Sequence, residues 1–237
     1  MLRIEDLFDL SQTEHRALFE GVKYPWQALS RIADYISQHL RRELHNTCDG
    51  VAWIGQDVYI GPGTIVEDGA MIRGPAIIGR NCRIAHNAYI RENVLIGDNC
   101  VIGNATEIKN AILFNGCEVP HHNYVGDSIL GAAVHLGAGV KLSNVKLIPG
   151  PIKVHWEGKA YDTGLEKFGA LIGDRAQIGC NAVLSPGSII GRDAVVYPCI
   201  HWRGVLPSGH IAKALGRVIR LQPDKNRSNS SGEKTKK

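Results

Sequence analysis

Ten aliphatic residues recur at every sixth position without a slip: Ile54, Ile60, Val66, Ile72, Ile78, Ile84, Ile90, Ile96, Ile102 and Ile108. Between these rungs, four residues after each, stands a small or β-branched residue: Val58, Thr64, Ala70, Ala76, Cys82, Ala88, Val94, Cys100 and Thr106. A helix of 3.6 residues per turn cannot hold residues six apart on one face over that distance, and an ordinary strand alternates by two. A six-residue period fits a chain coiling round a prism. Each side is a short strand, each corner a turn, the aliphatics point inward, and backbone groups pair with the coils above and below. With three hexads per coil, residues eighteen apart are stacked one strand spacing apart, about 4.8 Å. Thr64, Cys82 and Cys100 then form one internal stack, and Arg73, Arg91 and Lys109 one external column.

The expected fold class is all-β, a parallel β-helix with a short N-terminal helical segment and an inserted loop or hairpin. After Ile108 the ladder continues through Leu113, Val119, Val125, Leu130, Leu136 and Leu142, with steps of five at Leu113 and Leu130. It stops there and resumes with Ile172, Ile178, Leu184, Ile190 and Val196. Residues 145–168, with prolines either side of Gly150 and the dipeptide Glu157-Gly158, read as an extruded hairpin or long loop, and long loops in compact folds are usually functional. Residues 1–50 lack the repeat and form a cap or arm. Pro25 starts a helix with an apolar stripe at Leu29, Ile32, Ile36 and Leu40, and a shorter helix covers Thr13 to Val22. Such a helical pair cannot make a core alone. It is expected to cover the prism end, where a raw sheet edge invites aggregation, or to pack on a neighbouring subunit. The prism domain spans 51–205, and 206–237 form a C-terminal segment whose last dozen residues read as a disordered basic tail.

Composition supports a narrow interior. Only 6% of the 237 residues are aromatic, and 27 are glycine. The net charge of +4 is uneven, because eight Lys/Arg against two Asp/Glu lie from Ile211 onward, leaving a slightly acidic body unsuited to nucleic acid. No apolar run approaches eighteen residues and no signal-peptide core is evident, so a cytoplasmic protein without membrane attachment is expected. The six cysteines contain no C-x-x-C pair; Cys82 and Cys100 occupy inward positions, which suits buried thiols in a reducing compartment.

Chemistry is expected where the ladder fails. Arg91 and Lys109 follow successive rungs of one column, and like charges that close repel unless an anion or carboxylates intervene. They are either a solvated charge ladder or a phosphate site, with Glu107 beside Lys109. The five-residue steps bracket Pro120-His121-His122-Asn123-Tyr124, and loss of a residue reshapes a turn as bulges do near active sites. His121 is the candidate general base, since imidazole titrates near neutrality. A metal site drawn from His86, His121, His122 and His135 is the weaker reading, and no metal is expected. P-loop, G-x-S-x-G and G-x-G-x-x-G motifs are absent.

Three stretches carry a resemblance: Gly103-Asn104-Ala105-Thr106-Glu107-Ile108-Lys109, His121-His122-Asn123-Tyr124-Val125-Gly126-Asp127, and Leu136-Gly137-Ala138-Gly139. They resemble the acetyltransferase half of bifunctional sugar-1-phosphate nucleotidylyltransferase/acetyltransferases, the N-acetylglucosamine-1-phosphate uridyltransferase type, over roughly Val51 to Val205. The segment from Asp162 to Ala170 looks closest to archaeal-type members. The resemblance implies a left-handed β-helix, a homotrimer with shared sites, and acetyl-CoA as co-substrate. Position by position, it implies His121 as the base that deprotonates an amino-sugar phosphate or nucleotide-linked amino sugar. Arg91, Glu107, Lys109, Tyr124, Asn144, Lys153 and Lys167 would bind that acceptor; Ala138 and Cys180 would face the coenzyme. Without a glycine-rich nucleotide loop in residues 1–50, nucleotidyl transfer is not expected. His135, Cys180 and Pro198 depart from the family pattern. They leave open an alternative, a degenerate β-helix paralogue that binds sugar nucleotides or serves as an assembly subunit.

Overall fold

The computed structural model describes residues 2–213 and 217–220. The basic tail from Asn226 lies outside the described residues. The chain winds as a left-handed parallel β-helix with three faces, visited in a fixed order. One coil runs Thr47–Asp49 on the first face, Trp53–Ile54 on the second and Val58–Ile60 on the third; the next begins at Ile65–Glu67. Registers follow the rungs. Ile54 pairs with Ile72, Ile72 with Ile90, and Ile90 with Ile108 on the second face. The rungs and their small partners form one continuous buried column, with Ile54 and Ile200 half-buried at its two ends. Cys82, Cys100 and Cys117 line its wall, each thiol donating to a carbonyl of the following coil at 3.1–3.2 Å. The thiol of Cys100 bonded to Cys82, together with burial, raises the Cys82 pKa, so the Cys82 sulfur stays protonated.

Two coils differ. Where Lys109 and Gly126 leave the second face, the strand does not break: Glu107–Leu113 and Tyr124–Leu130 each run seven residues through the corner. A single residue, Asn110 or Asp127, turns each corner at φ 44° or 48°. The repeat therefore shortens to seventeen, which is what the steps of five at Leu113 and Leu130 encode. The insertion leaves at the same corner one coil later. It opens after Asn144, forms an antiparallel hairpin from Lys153–Trp156 and Lys159–Asp162, and returns at Phe168, whose N–H donates to the Asn144 carbonyl at 3.0 Å.

The N-terminal segment lies along the third face, not over the prism end. Tyr59, Ile77, Leu95, Ile112, Ile129, Leu171, Ile189 and Val205 stand in register on the outside of that face. An outward apolar column of that length needs a cover. Leu7, Phe8, Phe19, Trp26, Ile32 and the hairpin residues Ile152 and Val154 supply it as a second buried cluster. Each such side chain contributes about 1.5–3 kcal/mol on burial. The arm is less helical than its stripe suggests. After a single α-helical turn at Ile4–Leu7, the stretch from Pro25 begins with a 3₁₀ helix, Pro25–Arg31, and is α-helical over Ile32–His39, while between Thr13 and Val22 only Arg16–Phe19 is wound. Its residues follow the groove of the face rather than a helix of their own. Asp174 pins its start, accepting from Asp9 N–H at 2.8 Å and Ala132 N–H at 2.9 Å. At the N-terminal end of the prism Val51 and Trp53 remain exposed.

Candidate acyl-acceptor site

The shortened corners draw side chains of consecutive coils together. Residues 110, 127 and 144 form one column seventeen apart. Asp127, buried at 4% exposure, accepts from Asn110 Nδ2 at 2.8 Å and, on its other oxygen, from Asn144 Nδ2. Lys109 Nζ lies 3.8 Å from the same carboxylate. Tyr124 folds back over Gly126: a Cβ on that glycine would stand 2.7 Å from the Tyr124 hydroxyl and 2.9 Å from Asn144 Nδ2. Gly126 is therefore the space in which the tyrosine hydroxyl meets the asparagine. Burial, then the nearby Glu107 carboxylate, raises the Tyr124 pKa, so the hydroxyl stays neutral.

Arg91 stacks beneath Lys109, as the eighteen-residue period predicts. Its repulsion is relieved by carboxylates: Nη1 donates to Glu107 at 2.9 Å and Nη2 to Glu92 at 3.3 Å. The Glu107 hydrogen bond raises the Arg91 pKa and keeps it charged. Its Nε is buried with no acceptor among the described residues, as is Arg192 Nε outside the cluster. The cluster holds two cations, Arg91 and Lys109, against three carboxylates, Glu92, Glu107 and Asp127. Such a balance suits an ammonium group as well as a phosphate.

His121 stands at the neighbouring corner, between the first and second faces. Its backbone is fixed: it pairs with Asn104, its carbonyl accepts from Gly139 N–H at 2.9 Å, and His122 turns the corner at φ 51°. Behind it the buried Asn123 accepts from Val140 N–H at 3.0 Å, and Lys141 Nζ donates to the His122 carbonyl at 2.6 Å. The imidazole itself is exposed, and no hydrogen bond holds it among the described residues. By register Ala138 and Cys180 continue the His121 corner column on later coils. The sulfur of Cys180 overhangs Gly137, where a Cβ would come within 2.9 Å of it. His135 is turned away from this corner to Glu118 Oε2, at 2.9 Å.

Two expected residues are not gathered. Lys153 and Lys167 are exposed, and neither meets the Arg91–Asp127 cluster in any contact among the described residues. The hairpin folds onto the third face because Ile152 and Val154 pack under the arm beside Phe168 and Trp26. The four histidines are likewise dispersed. His86 Nδ1 meets the Asp68 carbonyl, His135 meets Glu118, and no group of three or more His, Cys, Asp or Glu among the described residues is placed for a metal. Sequence reasoning missed Glu92, Asn110, Asp127 and Lys141. The signal for Asn110 and Asp127 was there: with the period reset to seventeen after the first short step, both align with Asn144.

Residues 72–157 match the family model of the GMPPB C-terminal domain, and residues 169–197 match the hexapeptide repeat of succinyl-transferase. The prism is thus a hexapeptide-repeat β-helix. A bifunctional sugar-1-phosphate nucleotidylyltransferase/acetyltransferase of Sulfurisphaera tokodaii is 36% identical over 94 residues, 40% of this chain and 23% of the relative. A bifunctional protein GlmU of Methanococcus maripaludis is 35% identical over 92 residues, 39% of this chain and 22% of the relative. An uncharacterized acetyltransferase, YaiX, of Escherichia coli is 36% identical over 105 residues, 44% of this chain and 46% of the relative. The chain spans less than half the length of each of these relatives. No helix among the described residues is long and apolar enough to cross a membrane.

Proposed function

We propose that this chain is an acyl-CoA-dependent N-acetyltransferase acting on an amino-sugar phosphate or a nucleotide-linked amino sugar. The observation that carries the reading is the cluster at the shortened corners. It joins fixed cations, carboxylates, a neutral tyrosine and an asparagine one corner away from an exposed imidazole. Hydroxyl-rich acceptors call for such mixed donors and acceptors. Tyr124 and Asn144 hydrogen-bond the sugar ring, and Asp127 and Glu107 attract the amine in its ammonium form. Lys109 and Arg91 carry the positive charge that a sugar phosphate requires. The name of the Sulfurisphaera tokodaii relative, which pairs acetyltransferase with sugar-1-phosphate chemistry, supports the same class.

In the reaction His121 removes a proton from the attacking amine. Nitrogen adds to the thioester carbonyl, the carbon–sulfur bond breaks, and the thiolate leaves with coenzyme A and takes up a proton. No covalent enzyme intermediate is required. Ala138 and Cys180, in column with His121, line the path of the acyl donor, whose acetyl identity belongs to the proposal. The assembly is proposed as a homotrimer in a reducing cytoplasm. Exposed Leu147 and Ile148, directly after Asn144, would then cover an adjacent copy beside the site.

Thiol release from acetyl-CoA, measured with glucosamine-1-phosphate and galactosamine-1-phosphate, tests the reading. Wild type turns over at least one of them, and His121→Ala lowers kcat at least 100-fold, within the range general bases supply. Unchanged turnover in His121→Ala overturns the mechanism. Saturable sugar-nucleotide binding without turnover favours the binding-subunit alternative, to which the unoriented His121 ring lends its one structural argument.

A further inference from the structure

A second cleft opens at the remaining corner of the prism, between the third face and the first. No residue of the acceptor cluster lines it. It encloses about 360 Å³ between the arm and the early coils, within the ordinary range for small-ligand sites. Its arm wall is aromatic and fixed. His15 is buried and bonded through Nδ1 to the Tyr35 hydroxyl at 3.2 Å, and the Tyr35 ring stacks on His39 at 4.1 Å between centroids. Tyr59 and Ile77 line the prism side.

The rim is charged, with Glu14 and Asp98 beside Arg41 and Arg80. Some arginines, Arg42, Arg83, Arg91 and Arg175 among them, each hold a carboxylate. Arg41 and Arg80, both lining the cleft, hold none among the described residues. Asp98 also lines it, with one oxygen engaged by Arg80 N–H at 2.7 Å. The second oxygen makes no hydrogen bond among the described residues and can accept from a ligand amino group.

We propose that this cleft is a second ligand site, for a nucleoside 5′-phosphate bearing an exocyclic amino group. The base enters between the aromatic walls and donates to Asp98, while the phosphate meets Arg41 and Arg80 at the mouth. Planar rings take a base at low entropic cost, and guanidinium forks pair with phosphate oxygens bidentately. Because the walls belong to different segments, the ligand clamps the arm against the coils.

Calorimetric titration of the full chain with AMP, adenosine and inorganic phosphate tests this. AMP saturates with a Kd below 1 mM, and the R41A/R80A double variant weakens AMP at least tenfold while changing adenosine less than threefold. The paired substitution Lys109→Gln in the acceptor cluster leaves AMP affinity unchanged. Hydrogen exchange gives an independent reading: AMP slows exchange over residues 35–41 in wild type. The proposal is overturned if AMP does not saturate, if R41A/R80A binds it as wild type does, or if K109Q abolishes binding. Wild-type exchange unaltered by AMP overturns it as well.

Discussion

The coils before Lys109 and the two that follow are built from the same inward residues, yet differ by one residue per turn. In the eighteen-residue coils Asn81, Asn87, Asn93 and Asn99 turn corners at φ between 52° and 60°, and the strands break there. Their side chains serve the turn. In the seventeen-residue coils the strand runs through the corner, and Asn110 and Asp127 are left to bond each other and the next coil. Removing one residue converts a structural corner into a polar cluster. Regularity supplies stability, and its interruption supplies the polar cluster on which the proposed chemistry rests.

Substitutions can break or sharpen that contrast. The largest effect belongs to Asp127→Ala, which strands Asn110, Asn144 and Lys109 in a nearly closed site. A loss of about 4 kcal/mol in chemical denaturation is expected, together with loss of acetyl transfer. Retained activity would break the comparison. Next comes pH. Burial, then the neighbouring His39, lowers the His15 pKa from 6.5 to about 4. The unfolded chain thus takes up its proton first as pH falls. Stability from this group is complete above about 6.5 and drains away towards 4, by about 3 kcal/mol in all. Melting curves across that window should show the loss, and His15→Phe should flatten it. If His15→Phe leaves the slope intact, the arm is not the acid-sensitive part. Ile90→Val, in a regular coil, should cost about 1 kcal/mol and leave kcat unchanged. Smallest is Arg175→Ala, which breaks an exposed pair with Asp193 and should shift stability by about 0.5 kcal/mol.

The prism was legible because its period is enforced by packing. Every rung from Ile54 to Val196 must point inward or leave a void, so sequence and structure agree residue by residue. Arg91 under Lys109 follows directly from the register. Other features were harder to read. The arm's position depends on an outward column, Ile77, Leu95, Ile112, Ile129, Leu171 and Ile189, each one residue before a rung and on every third rung. On the other two faces that position holds residues such as Met71, Arg83, Tyr89 and Val101, so the contrast was written in the chain. It appears only when rungs are sorted by face. Lys153 could not be placed from sequence, because the direction a hairpin folds is decided by Ile152 and Val154 finding Trp26, far away in the chain. Asp127 was visible only after the period was reset.

The arm changes what kind of folding unit the prism is. A solenoid ordinarily couples each repeat to its neighbours alone, so it can fray from either end. Here the arm touches outward residues from Ile77 to Ile189, and Asp174 holds residues 9 and 132 at once. Repeats on opposite sides of the insertion are thereby joined by a strap running parallel to the axis. Opening at one end must peel that strap from all of them. The molecule should therefore unfold in one cooperative transition, with the arm docking only after the coils on both sides of the insertion have formed.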